Sequence, residues 1–151
     1  MPEVANTRKT FNFIVEVNGV NQFEIQKVDI PEVEIEKTTH GGTNSDIKTA
    51  GRVTVGDMVW DKVRPLPQPD NWGYNRLKRA QDIVAGGGEL PSAYKEVLVI
   101  KELSTDGITT VNSWVCEGSW VCKISQNSLD RQSSDNVIET VTWSVDKCYR
   151  L

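Results

Sequence analysis

Alternation of apolar and polar residues at every second position is the sequence feature that most constrains the fold of this chain. It is clearest in residues 11–18 (FNFIVEVN), where the apolar side consists of Phe11, Phe13, Val15 and Val17. Successive side chains of an extended strand point to opposite faces, so this period is typical of a half-buried strand. The dipeptide Asn18-Gly19 follows and favours a tight turn. We therefore predict a β-hairpin at the start of the fold.

Strand patterns recur along most of the remaining chain. They occupy residues 31–37, 52–60, 94–103, the segment from 108, residues 114–124 as a hairpin turning at 117–119, and residues 137–145. Residues 70–86 differ, because their apolar residues are spaced as on a helix and three glycines follow. We predict a mainly β fold, a β-sandwich or barrel of about seven or eight strands with one flanking α-helix and a long extended loop.

The size and composition of the chain fit a single globular domain spanning residues 1–151. Of its 151 residues, 38% are hydrophobic and 25% are charged, which is the range of ordinary soluble domains with a core of their own. Residues 1–10 are polar and unpatterned, so we expect a flexible N-terminal arm. No apolar run approaches the ~20 residues that span a bilayer, so we expect no membrane anchor.

The charge balance argues against a protein that grips nucleic acid. The formal net charge is −4, whereas nucleic-acid-binding proteins usually carry a clustered basic excess. Within the predicted helix, Arg76, Lys78 and Arg79 lie mostly off the apolar stripe. We interpret them as a solvated face in preference to a phosphate site.

Three glutamates share one side of the predicted strand at residues 31–37. Glu32, Glu34 and Glu36 alternate with two apolar residues, and the only histidine, His40, follows them. Alternate carboxylates on a strand stand ~6.6 Å apart and point in parallel, so they line a surface instead of enclosing a cation. We found no nucleophile with a base, no zinc set and no cofactor loop, and we expect neither catalytic residues, nor a metal, nor a cofactor.

The three cysteines are Cys116, Cys122 and Cys148. Their number is odd, they lack C-x-x-C spacing, and the first two fall in apolar strand patterns. This pattern favours buried free thiols over a disulfide or a nucleophile, and it indicates a reducing compartment.

Several segments together resemble the tail tube proteins of contractile-tail phages. They are FxFxVEVNG, VEIEKTTHGG, AGRVTVGDMVWDK, a tryptophan-containing helix and IETVTWSV, and the resemblance runs from about residue 11 to residue 151. It implies a tail-tube-like fold and no enzymatic activity. It further implies that the chain forms hexameric rings stacked into a hollow tube, which lies inside a contractile sheath and conducts phage DNA into the host.

The resemblance also implies where subunits meet. The turn-rich segment at residues 39–51 would be an extended intersubunit loop, with the candidates His40, Gly41, Gly42, Thr43, Asn44, Ser45, Asp46, Ile47 and Lys48. The N-terminal arm would reach a neighbour through Val4, Asn6, Arg8 and Lys9. Glu32, Glu34 and Glu36 would form a negatively charged band, either on the lumen or on an outer face.

The implied partners are other copies of the chain, a tail sheath protein, and baseplate and tail terminator proteins, while double-stranded DNA passes without specific binding. The implied location is the virion tail, with assembly in the host cytoplasm.

Three alternatives remain open at this stage. The first is the tube of a phage-derived contractile injection particle or of a type six secretion system, and the second is a baseplate tube initiator. The third is a carbohydrate-binding β-sandwich, motivated by five tryptophans. Four of these fall on apolar strand faces and are expected in the core, namely Trp60, Trp114, Trp120 and Trp143. Only Trp72 is predicted to be free enough to serve as a ligand platform.

Overall fold

A computed structural model describes residues 11–22, 25–64 and 71–151. The predicted N-terminal arm and its candidate contacts Val4, Asn6, Arg8 and Lys9 lie outside the described residues. Strands β1 to β10 span, in chain order, Phe13–Val17, Val20–Gln22, Ile25–Asp29, Val33–Gly41, Asp46–Val55, Met58–Val63, Glu96–Leu103, Thr110–Gln126, Glu139–Ser144 and Lys147–Arg150. Helix α1 (Trp72–Ala80) lies between β6 and β7, and the short helix α2 (Pro91–Tyr94) directly precedes β7.

Eight of the strands form one curled antiparallel sheet in the order β2-β1-β7-β8-β9-β6-β3, with β10 beside β8. The remaining two strands, β4 and β5, pair only with each other within the described part of the chain. The prediction of a mainly β, sandwich-like fold with a flanking helix is confirmed. Among the described strands, β2 and β3 are the two ends of the sheet and do not pair with each other, so the described part of the chain forms no closed barrel.

The predicted first hairpin is present, with Asn18 and Gly19 at φ of 50° and 85° between β1 and β2. Two adjacent positive φ values are what a two-residue hairpin turn requires.

The predicted hairpin at residues 114–124 is wrong, because β8 runs through it as one strand of 17 residues. Gly118 has a φ of 64°, and the pairing with β7 slips there, from Glu96 opposite Ser119 to Leu98 opposite Cys116. The glycine therefore produces a β-bulge, which bends a strand without reversing it.

The core lies between the concave face of the sheet and α1. Its fully buried side chains include Val15, Met58, Trp60, Leu98, Val121, Val141 and Trp143. Trp60 and Trp143 are buried as predicted, whereas Trp114 and Trp120 are only half-buried. The ring centroids of Trp60 and Trp143 lie 4.9 Å apart. Aromatic rings at this separation attract each other in addition to the area that they bury.

Trp72 belongs to this aromatic cluster, so the prediction of a free ligand platform is wrong. Its ring stacks on Trp60 with a centroid distance of 5.5 Å, and the guanidinium carbon of Arg76 lies 3.8 Å from its centroid on the helix side. The sequence pattern missed this contact because it depends on how α1 docks onto the sheet.

Helix α1 ends at Ala80, which is earlier than the predicted limit of residue 86. The carboxylate of Asp82 accepts hydrogen bonds from the backbone N–H groups of Val84 and Ala85, each at 3.0 Å. These bonds offer the backbone a turn in place of another helical repeat. Residue 70, the predicted start, lies outside the described residues.

The predicted extended loop at residues 39–51 is largely a strand pair. Strand β4 continues to Gly41 and β5 begins at Asp46, so only residues 42–45 form a turn, closed by a 2.9 Å bond from Gly42 N–H to the Ser45 carbonyl. Strand pairing satisfies the backbone polar groups that a loop of this length would leave to water. The turn residues Gly42, Asn44 and Ser45 therefore belong to a short turn between two strands and not to a long loop.

Candidate assembly surface

The β4–β5 pair, which we call the exposed hairpin, projects from the sandwich. Its strands contain 9 and 10 residues, which corresponds to a length of roughly 30 Å at about 3.4 Å per residue. Every residue of both strands is exposed except Val55, which is partly buried and packs on the core. A bond of 2.8 Å from the Gly56 N–H to the Glu32 carbonyl closes the base. Among the described residues, the hairpin is held by its own pairing and by this base.

One side of the exposed hairpin carries an apolar patch near the base. In the register, Val33 lies opposite Val55, and Ile35 lies opposite Val53. Val33, Ile35 and Val53 are 46%, 54% and 60% exposed. We call these four residues the apolar patch. Directly opposed branched side chains support the pairing, yet their outer surfaces face water.

The other side of the hairpin carries Glu34 and Glu36. The register shifts from Ile35 opposite Val53 to Lys37 opposite Ala50, so Glu36 faces two residues of β5, Gly51 and Arg52. Because the extra residue of this bulge is on β5, β4 keeps its alternation and both carboxylates stay on one side.

Gly51 lets the two strands approach closely at the bulge. A Cβ added there would lie 3.1 Å from the carbonyl oxygen of Glu36 and 3.1 Å from Oγ1 of Thr38. Both distances are tighter than ordinary contact, so a larger residue at this position would require small shifts of Glu36 and Thr38. The glycine that resembled a loop residue in the sequence thus has a packing role.

The three predicted glutamates lie near each other but form no enclosed site. Glu32 directly precedes β4 and is exposed, as Glu34 and Glu36 are. In the part of the chain that the structure describes, none of their carboxylates has a hydrogen bond or ion pair. Nor does any group of three or more His, Cys, Asp or Glu side chains there have a metal-binding arrangement. The carboxylates form an open, solvated row.

The predicted intersubunit residues gather at the tip of the exposed hairpin. His40 lies opposite Ile47 and Gly41 opposite Asp46, with the turn at residues 42–45 beyond them. All residues from 40 to 48 are exposed, and Ile47 is 61% exposed. The structure therefore brings these candidates together at one end of a projecting element.

Sequence reasoning missed the apolar patch as a surface. The alternation of Val33 and Ile35 with glutamates predicted only that the apolar residues share one face, and the structure shows that both faces of this strand are exposed. Alternation on both flanks of the turn at residues 42–45 was the available signal for a hairpin. Whether a third layer covers an apolar face depends on where the chain goes afterwards, and a period of two does not contain that information.

A second apolar surface lies where the sheet fails to close. A groove of about 540 Å³ separates the start of β1 from β3, and its apolar walls include Phe13, Val28, Ile30 and Ile100. Phe11 stands at its rim and is 75% exposed. Among the described strands, β3 pairs only with β6, so its other edge has free backbone groups.

Two arginines of α1 form ion pairs with Glu96 on β7. The Arg76 guanidinium lies 3.0 Å from a carboxylate oxygen of Glu96, and Arg79 lies 3.7 Å from Glu96 and 3.0 Å from Glu89. Glu96 is buried and also accepts a 3.1 Å hydrogen bond from the Asn18 side chain. The interpretation of Arg76 as a solvated residue is therefore wrong, and its charge is neutralised within the fold.

Solved structures with the same fold cover nearly the whole chain. The anti-feeding prophage tube-terminating cap has a TM-score of 0.81 and 14% identity, over 100% of this chain and 95% of that one. The sheath/tube terminator of the extracellular contractile injection system PVC has a TM-score of 0.78 and 14% identity, over 99% of both chains. A chain of the sheath-tube complex of that system has a TM-score of 0.75 and 14% identity, over 96% of this chain and 91% of that one.

The fold is thus that of tube and terminator proteins of contractile particles. A sequence profile of T4-like virus tail tube protein gp19 matches residues 9–148, and the chain belongs to this family. The resemblance predicted from the strand and glycine motifs is confirmed. This family consists of structural tube proteins. A search of curated proteins found no match. Within the described residues, no helix has the length and apolar character needed to cross a membrane.

Proposed function

We propose that this protein is the tube subunit of a contractile phage tail, assembling into hexameric rings that stack into a hollow tube. The observation that carries this proposal is the exposed hairpin, which presents an apolar patch whose residues Val33, Ile35 and Val53 stay about half exposed in the described part of the chain. A contiguous apolar surface on a projecting element is typical of an interaction site. Membership of the tail tube family supplies the partner, a second copy of this chain.

Assembly would stabilise the exposed hairpin by removing its apolar patch from water. Val33, Ile35 and Val53 are each about half exposed. Completing the burial of such a side chain contributes on the order of 1 kcal/mol, and a ring repeats this gain at every interface. The tip candidates, residues 40–48, would contact the neighbouring subunit or the next ring, as would the N-terminal arm.

The row formed by Glu32, Glu34 and Glu36 is proposed to face the lumen of the tube. Six copies would give a ring of carboxylates, and together with the net charge of −4 this repels a polyanion within a Debye length of ~8 Å. DNA would then pass without specific binding. Replacing all three glutamates with glutamine should slow DNA ejection from particles whose tubes remain intact, and unchanged ejection would remove the row from the lumen.

The proposed partners beyond the chain itself are a sheath protein, a baseplate and a tail terminator. Their support is the assemblies in which similar folds occur, a sheath-tube complex and two terminating proteins. The particle would assemble in the host cytoplasm, and the protein would have no enzymatic activity.

A second candidate function is that of a tube terminator. Its support is the higher TM-score to the prophage cap, 0.81, than to the sheath-tube complex, 0.75. The two functions differ in copy number, because a tube subunit forms long polymers and a terminator forms a single closing ring. A tube of an injection particle would give the same polymers and would differ in what passes through the lumen.

Negative-stain electron microscopy of the concentrated protein tests the proposal. We expect rings or tubes of constant diameter for the tube subunit and single rings for the terminator, while monomers at every concentration would contradict both. The variant Ile35→Lys, Val53→Lys should remain a folded monomer. Ile108→Lys is the matched control, because Ile108 is 83% exposed in a turn outside the exposed hairpin, and it should assemble normally.

A further inference from the structure

Two of the three cysteines face each other across neighbouring strands. Cys116 on β8 lies directly opposite Cys148 on β10 in the antiparallel register, and their sulfur atoms are 3.3 Å apart. Their residues are 0% and 8% exposed, and both thiols are free. The third cysteine, Cys122, lies on β8 and contacts the Thr142 carbonyl. The sequence, with its odd cysteine count, did not show this pairing.

We propose that Cys116 and Cys148 are a redox modification site, at which a small-molecule disulfide converts the two thiols into a bond that fastens β10 to β8. This inference does not depend on the proposed assembly, since it concerns one chain only. It also goes beyond the sequence-based expectation of three permanently free thiols.

The chemistry is thiol-disulfide exchange with an oxidant such as oxidised glutathione. One protein thiolate attacks a sulfur of the oxidant, which forms a mixed disulfide and releases one glutathione thiolate. The second protein thiolate then attacks the protein sulfur of that mixed disulfide and releases the second glutathione. The protein loses two electrons and two protons, and the oxidised glutathione gains them as two thiols.

The backbone arrangement suits such a bond. Directly opposite residues of an antiparallel pair have Cα atoms about 4.5–5.5 Å apart, which falls within the range of about 4.4–6.8 Å found for disulfides. The two sulfurs are already in contact, so side-chain rotation of the pair brings them to bonding distance without moving either strand. Cys122 has no cysteine opposite it, because its neighbours on β9 are Trp143 and Thr142.

The bond would hold a short strand that is paired along one edge. Strand β10 has four residues and pairs only with β8 among the described strands, with side-chain contacts from Tyr149 to Glu117 and from Arg150 to Trp114. A short strand paired along one edge opens more readily than a protein's central strands. A bond between residues 116 and 148 would close a covalent loop that contains β9, so that β10 could no longer separate from the sheet by itself.

Burial controls how fast the bond can form. It raises the pKa of both thiols above the ordinary value, so the reactive thiolate is scarce while β10 stays in place. Oxidation should therefore proceed through local opening of β10. We expect it to be slow in buffer and several-fold faster in urea below the unfolding transition.

Thiol counting on the full-length protein tests the site. After incubation with oxidised glutathione, acid quenching and alkylation in denaturant, the protein should carry one alkyl group, with a mass lower by two hydrogen atoms before alkylation. Peptide mapping should join Cys116 to Cys148. The matched control Cys122→Ser should form the same link, whereas Cys148→Ser should form none.

Stability provides a second measurement. Closing this loop should raise the urea midpoint by roughly 1–2 M, and a reductant should reverse the shift. The single variants Cys116→Ser and Cys148→Ser should show no oxidant-dependent shift. Three alkylatable thiols after prolonged oxidation, a link that includes Cys122, or only mixed disulfides with glutathione would each overturn the proposal. A Cys116–Cys148 disulfide that forms without raising the urea midpoint would overturn the proposal that the bond fastens β10 to β8.

Discussion

Strand β9 and strand β4 have the same apolar-polar alternation, yet one is buried and the other is exposed. In β9, Val141 and Trp143 are fully buried under α1 and beside β6. In β4, Val33 and Ile35 are about half exposed. A period of two determines which residues share a face, but the cover over that face comes from other elements. In this chain, the same alternation therefore occurs both in a strand of the core and in a strand whose apolar face is exposed.

The largest effect should follow from removing an aromatic ring on the buried side. Trp143→Ala leaves a cavity against Trp60 and Trp72, and we expect the free energy of unfolding to fall by about 3–5 kcal/mol. This loss is measured by urea denaturation monitored by circular dichroism. The counterpart on the exposed hairpin is Val53→Ala. A similar loss for both variants would show that the hairpin is part of the folding core.

The ion pair between α1 and β7 allows a second comparison of a buried position with an exposed one. Glu96→Ala removes a buried carboxylate and leaves Arg76 without its partner, so we expect a loss of about 2–3 kcal/mol. The matched control is Glu89→Ala, since the Glu89–Arg79 pair is largely exposed and should contribute about 0–1 kcal/mol. Equal losses in thermal denaturation would contradict the assignment of Glu96 as the main link.

A buried carboxyl on β9 should make the stability of the core depend on pH. Burial raises the pKa of Glu139, so the folded state binds a proton that the unfolded state has already released. Stability should therefore fall as pH rises from the ordinary glutamate value of 4.5 through the raised value.

Glu139→Gln should remove this fall and raise the thermal midpoint slightly at neutral pH. Differential scanning calorimetry across the acid range measures both effects. The control is Glu34→Gln, which removes an exposed carboxylate from the hairpin. A neutral-pH loss of stability in Glu139→Gln would mean that the ionised carboxylate has a favourable partner in the folded protein.

The smallest effect on stability should come from the apolar patch. The variant Ile35→Ala, Val53→Ala removes side chains that are 54% and 60% exposed. We therefore expect the free energy of unfolding to fall by about 0.5 kcal/mol per site or less. Sedimentation velocity should nevertheless show weakened self-association. A variant with unchanged self-association would place the contact between subunits elsewhere, for example at the groove between β1 and β3.

The sequence allowed the strands, the first hairpin and two buried tryptophans to be predicted, because each depends on local alternation or turn chemistry. It misled at Gly118, where a positive φ makes a bulge within β8 instead of a turn. It misled again at residues 39–51, where turn residues obscured the pairing of β4 with β5. In both cases the deciding factor was a partner strand, and partners are distant in sequence or separated by a turn.

By itself, the sequence determined the fold class, the family and the grouping of Glu34 and Glu36 on one face, because period and glycine placement act over a few residues. Only the tertiary structure decided that Trp72 packs in the core, that Cys116 meets Cys148, and that the apolar face of β4 is about half exposed in the described part of the chain. These outcomes depend on how α1, β10 and the exposed hairpin are placed against the sheet. Such placement is a sum of many contacts between distant residues, which no local pattern records.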